Sequence, residues 1–181
     1  MAPRRRPNVI AARTDELAGW QITVRKTIAR PPQDVFALLA DVERMAGLGP
    51  EHCLARWLTE SREAGARFKG INRIGVFRWE VLCTVTAFLR PQRFGWTVGD
   101  PDEPSSTWTY ALEATNGGAG DATTVTQTFE HGPGDSFVRR AVELAPAAAN
   151  VVIAGRTRQL RHNMNATLHQ VEVQLMGTSE T

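Results

Sequence analysis

Between Asn150 and Met176 the chain carries one sustained apolar stripe. Leu160, Met164, Leu168, Val171 and Leu175 recur at steps of three or four, the period of one face of an α-helix. At ~1.5 Å per residue such a helix runs roughly 40 Å, too far to be covered by one short partner element. The segments before it alternate like strands, so the economical arrangement is a curved antiparallel sheet closing around this helix. That arrangement leaves a space between helix and sheet.

The upstream pattern supplies the strands. Trp20, Ile22 and Val24 alternate with Gln21, Thr23 and Arg25, which predicts a first strand ending near Ala29. Pro31 and Pro32 then open a helix whose first turn holds Asp34 and whose buried face is Val35, Leu38 and Leu39; proline and an acid both suit a helix start. A second short helix, Asp41 to Met45, stops at Gly47. Six more strands are expected: His52–Thr59, Ala66–Arg73, Phe77–Phe88, Arg93–Val98, Ser106–Ala114 and Thr123–His131. The glycine-rich run 116–121 is read as a flexible hairpin loop, and the regular spacing favours an antiparallel meander. Past Gly134 the pattern turns helical, with Asp135 or Ser136 able to cap the start. Pro146 should break that helix before the long terminal one. The expected class is α+β, a sheet of about seven strands wrapped around the C-terminal helix. Residues 1–18, including the Arg4, Arg5 and Arg6 cluster, read as a flexible tail, and 19–177 as a single domain.

Composition narrows the function classes. At 181 residues the chain is long enough for one domain with a real core. There is no run of eighteen apolar residues and no signal-peptide core at the N-terminus, so a cytoplasmic protein without stable membrane insertion is expected, as monomer or homodimer. Net charge is only +2 and the arginines are scattered, which argues against a nucleic-acid partner. Cys53 and Cys83 form neither a CxxC motif nor a zinc spacing and read as reduced packing residues. No nucleophile elbow, phosphate loop, HExxH or dinucleotide motif occurs, and neither metal nor cofactor is expected.

The candidate chemistry lies on predicted inward faces. Asn72 shares a face with Phe68, Gln127 stands between Val125 and Phe129, and Asn163 adjoins Met164 on the helix. A buried amide without a partner costs a few kcal/mol, so these groups bond either to protein or to a ligand's carbonyl or hydroxyl; both readings stay open. Trp57, Trp79, Trp96, Trp108 and Tyr110 would add large apolar walls. His162 and His169 lie ~10.5 Å apart along the helix, too far to share a metal with His bonds of about 2 Å. His162 is the histidine nominated for acid or base work in the cavity, while His52 and His131 are read as structural.

The stretch Ile28 to Glu43, with its strand, prolines, helix and aspartate-x-glutamate turn, resembles the opening of the START-related SRPBCC superfamily. Gly65 to Arg73 is similar to that family's glycine-led strand, and Ala166 to Val171 to its final helix. The likeness spans Trp20 to Met176 and points to the actinobacterial polyketide cyclase/dehydrase-like branch. It implies the helix-grip fold. Family members carry a tryptophan after the second short helix, whereas Met45 to Pro50 here reads Met-Ala-Gly-Leu-Gly-Pro, so a differently shaped cavity mouth is expected.

Two functions follow. One is binding or transport of a small hydrophobic molecule such as a lipid, polyketide or aromatic metabolite. The other is a cyclase or dehydratase using the same cavity, which needs a titratable group inside. The inward set, read by face, holds amides and aromatics rather than a carboxylate or histidine pair, which favours binding.

Overall fold

The computed structural model describes Leu17, residues 19–115 and residues 122–177. Strand β1, Gln21–Ile28, buries Ile22, Val24 and Ile28 and turns its alternate residues outward. Helix α1, Pro32–Leu39, starts on proline with Asp34 in its first turn and buries Val35, Phe36, Leu38 and Leu39. Helix α2, Val42–Met45, is capped by the Asp41 side chain, which accepts from Arg44 N at 3.1 Å. Six strands follow: β2 His52–Trp57, β3 Arg67–Ile74, β4 Phe77–Leu89, β5 Arg93–Gly99, β6 Pro104–Thr115 and β7 Ala122–His131.

All seven belong to one antiparallel sheet in the order β1-β7-β6-β5-β4-β3-β2. The meander is sequential except that β1 returns to pair with β7. Helix α3, Phe137–Leu144, is capped by Ser136. Pro146 then opens a 3-10 turn, Pro146–Ala148, and α4 runs from Ala149 to Gly177. The break at Pro146 is the expected one, because proline lacks the amide that would continue the helix.

Helix α4 lies in the grip of the sheet. Leu160, Met164, Leu168, Val171 and Leu175 are its buried stripe, joined to the core from β1, α1 and the sheet. Polar ties fix its pose against the chain's first strand. Lys26 pairs with Glu172 at 2.8 Å, Trp20 Nε1 donates to Thr157 Oγ1 at 3.0 Å, and Arg30 Nη2 donates to the Leu175 carbonyl at 2.8 Å. This is the helix-grip fold. The predicted loop 116–121 and most of the predicted tail lie outside the described residues; Leu17, from that tail, is buried. Both cysteines are free, with Cys83 in the core, where burial pushes its thiol up to about 12.

Candidate functional site

Between the concave sheet and α4 lies a cavity of about 860 Å³, within the ~300–1,000 Å³ range of small-molecule sites. Cross-strand register builds its sheet wall. Trp96 of β5 faces Trp108 of β6, Trp108 faces Phe129 of β7, and Tyr110 faces Gln127. The Trp96 and Trp108 rings are nearly parallel, 7° apart with centroids at 6.2 Å, and Phe129 tilts onto Trp108 at 5.0 Å. Phe68 meets Trp96 edge-on at 6.1 Å. Trp108 gives its indole N–H to Ser106 Oγ at 3.2 Å, so its polar edge is satisfied while its face stays available. Trp79 lies near the mouth, edge-on to Phe137 of α3 at 5.6 Å. Phe77 and Phe137 form an open apolar lip there, 76% and 67% exposed.

Helix α4 supplies the opposite wall. Leu160 and Met164 close the apolar part; Arg156, Gln159, Asn163 and Thr167 continue the same side at steps of three and four. Arg156 grips Glu51 with both terminal nitrogens, Nη2 to Oε1 at 2.6 Å and Nη1 to Oε2 at 2.9 Å. Arg156 Nη1 also donates to Gln159 Oε1 at 2.7 Å, and Asn163 Nδ2 donates to Glu51 Oε2 at 3.0 Å. The Glu51 carboxylate is thus neutralised by a planar, two-pronged partner. Gly49, in the connection after α2, also lines the cavity; a β-carbon there would collide with Thr167 Oγ1. The mouth is therefore shaped here by backbone lying close against α4.

Two histidines reach the cavity. His52 Nδ1 lies 3.0 Å from Asn72 Oδ1; with the amide in this orientation its oxygen accepts, Nδ1 carries the proton and Nε2 keeps its lone pair. A β-carbon at Gly70 would stand 3.0 Å from His52 Cε1, so the bare glycine makes room for the ring. Burial holds His52 below its ordinary value, opposed in part by its bond to Asn72. His131 is buried, stacks under Trp20 with centroids 5.6 Å apart, and has Nε2 2.9 Å from Ser136 Oγ. Burial first, and the neighbouring Arg139 second, bring it down to about 4. Both rings are neutral near pH 7.

Gln127 and Tyr110 sit deepest on the sheet side. Gln127 Nε2 donates to Tyr110 Oη at 3.2 Å, while Gln127 Oε1 has no partner among the described residues. Burial pushes the Tyr110 phenol well above its ordinary value, so it stays protonated.

Of the residues expected at the site, Phe68, Asn72, Trp79, Trp96, Trp108, Tyr110, Gln127, Phe129, Asn163 and Met164 line the cavity. Trp57 does not. It stands on edge strand β2, with its ring against Phe68 at 5.4 Å and Arg62 over it at 4.5 Å, so Phe68 lies between it and the cavity. His162 does not either. It is exposed, because two residues beyond Leu160 is ~200° around a helix. The expectation that the inward set lacks a carboxylate or histidine pair is overturned by Glu51 and by His52 with His131, all of which line the cavity. His131 had a readable signal, the same alternation as Val125, Gln127 and Phe129. His52 is the cross-strand partner of Asn72, which only the pairing reveals. Among the described residues, no group of three or more His, Cys, Asp or Glu is placed to hold a metal, and no helix is long and apolar enough to cross a membrane.

Solved structures with the same fold include protein TTHA0849 from Thermus thermophilus, at 14% identity and a TM-score of 0.67, covering 89% of this chain and 100% of that one. The polyketide-cyclase-like protein Cgl2372 from Corynebacterium glutamicum matches at 23% identity and a TM-score of 0.61, covering 89% and 96%. The Zhui aromatase/cyclase from Streptomyces sp. R1128 matches at 13% identity and a TM-score of 0.63, covering 87% and 93%. No curated protein matches the chain. Residues 19–165 match the model of a sequence family, and the chain belongs to that family, polyketide cyclase / dehydrase and lipid transport, within the SRPBCC superfamily.

Proposed function

We propose that this protein binds and carries a small hydrophobic molecule, a lipid, polyketide or aromatic metabolite, in the cavity between sheet and α4. The observation that carries the reading is the wall itself. Trp96, Trp108, Phe129, Phe68 and Met164 present apolar faces, while the charged pair Arg156–Glu51 is spent on itself. An apolar guest gains by covering such a wall, at roughly 25 cal/mol per Å² of apolar surface removed from water. Because Trp96 and Trp108 would touch the guest, titration with a flat polycyclic aromatic should change intrinsic fluorescence along a saturating curve. A linear, unsaturated change across unrelated apolar compounds would mean a filled core and no site.

One observation favours a second reading, an aromatase/cyclase-like reaction in the same cavity. His52 is half-buried, neutral and held by Asn72 as the tautomer whose Nε2 can take a proton. In that reading it abstracts a proton from the carbon between two ketones of a poly-ketone chain, and the resulting enolate closes a ring on another carbonyl. Turnover of a poly-β-ketone thioester should then fall ~100-fold or more in His52→Gln, the low end for general acid-base catalysis, with binding retained. Turnover by neither protein leaves the carrier reading, and equal turnover by both removes His52 as the base.

A further inference from the structure

The polar pair at the deep end of the sheet wall has a hydrogen-bonding pattern that selects among apolar ligands. Gln127 is 4% exposed and Tyr110 3%, and one hydrogen bond of 3.2 Å joins them. As placed, the Gln127 amide donates to Tyr110 Oη, which leaves the phenol proton free to be given and Gln127 Oε1 free to accept. Turning the amide over reverses both roles: the phenol donates to the carbonyl, a Gln127 N–H is free to be given, and the phenol oxygen is free to accept. Either way the pair offers at least one donor together with an unmatched acceptor, Gln127 Oε1 as placed or Tyr110 Oη with the amide turned. An unpaired buried polar group costs free energy, so a guest that supplies both complements is favoured.

A hydroxyl does so with a single atom, since it donates and accepts at once. A ketone can only accept, and a hydrocarbon does neither. A carboxylate has no proton to give and brings a charge that needs a cation. Gln127 lies four residues from His131 along β7, ~13 Å at strand rise, away from the α3 end. Of the cavity's arginines, Arg156 is held by Glu51 and Gln159, Arg140 is paired with Asp135, and Arg78 is exposed beside the lip residue Phe77. The next inward residues of β6 and β7, Leu112 and Val125, are buried and apolar.

We propose that Gln127 and Tyr110 form the recognition point for an uncharged hydroxyl (alcohol, phenol or enol) at the buried end of an otherwise apolar ring-containing ligand, and that this end rejects a carboxylate. The proposal rests on the reading of the cavity as a binding site for a small apolar molecule.

The test is calorimetric titration of the full-length protein with 2-naphthol, naphthalene and 2-naphthoate, three probes that share a ring body and differ at one position. Two neutral hydrogen bonds make 2-naphthol the tightest, about tenfold over naphthalene, with 2-naphthoate weakest. In Gln127→Leu the preference for 2-naphthol should shrink to about twofold or less, and the melting temperature should stay within about 4 °C of the parent, as for a change near 1 kcal/mol. Should that variant fail to fold, Tyr110→Phe, which removes only an oxygen, should show the same loss of preference. Saturable binding of all three with equal affinity, tighter binding of 2-naphthoate, or an undiminished preference in a folded variant overturns the hydroxyl assignment and leaves the binding cavity standing. Saturable binding by none of the probes overturns both.

Discussion

Leu168→Ala should lower unfolding free energy by about 2–5 kcal/mol, the cost of truncating a fully buried leucine. Leu168 has no solvent exposure and sits mid-stripe on α4, with Met164 and Val171, both also buried, on either side. The lost methyl groups would leave a void between two rigid layers. On one side is the buried face of β1 and the sheet, and on the other the helix, pinned through Lys26–Glu172 and Arg30 to the Leu175 carbonyl. Neither layer can collapse freely into the gap, so the cavity cost adds to the lost transfer energy. Urea denaturation followed by circular dichroism measures the change. A loss under about 0.5 kcal/mol, the range of ordinary surface changes, would mean that α4 is not the centre of this core.

Arg156→Met is the second large effect, expected at about 1–3 kcal/mol. Side-chain exposure of 22% for Arg156 and 15% for Glu51 removes this pair from the class of surface ion pairs, whose median worth is only about 0–1 kcal/mol. Methionine keeps much of the bulk but leaves the Glu51 carboxylate with only the Asn163 amide among its side-chain donors. Stranding a charge is what makes the single change costly. The Glu51→Gln, Arg156→Met double variant should therefore recover much of the loss, with a coupling of about 0.5–3 kcal/mol in a double-mutant cycle. Purely additive losses would show that the two residues stand side by side without depending on each other.

The residues that the sequence makes legible are those whose role repeats locally. The α4 stripe recurs every turn, and Val125, Gln127 and Phe129 alternate on β7, so the long helix, the sheet and the Gln127 side of the cavity can all be read before any fold is known. Three features break that logic. The register shift in β4 between Val85 and Ala87 changes the alternation, so Phe88 turns inward against Phe36 and Phe94. Glu51 and Arg156 are 105 positions apart, and no local pattern joins a residue in a connection to one on a distant helix. His162 lies on the right helix, but a helix has sides, and at ~100° per residue a neighbour two places along faces away.

β1 has its strand partner in β7, at the end of the meander, and the helix that β1 supports is the last 29 described residues. Arg30 waits across 145 positions for the Leu175 carbonyl. During synthesis the aromatic face of β5 and β6 is therefore finished while nothing yet covers it, and such long-range closure is slow compared with local pairing. A growing chain in that state exposes its stickiest surface to its surroundings. On the proposed function, an apolar molecule that settled on this open face before α4 arrived would be enclosed as the helix docked, filling the chamber by the act of folding.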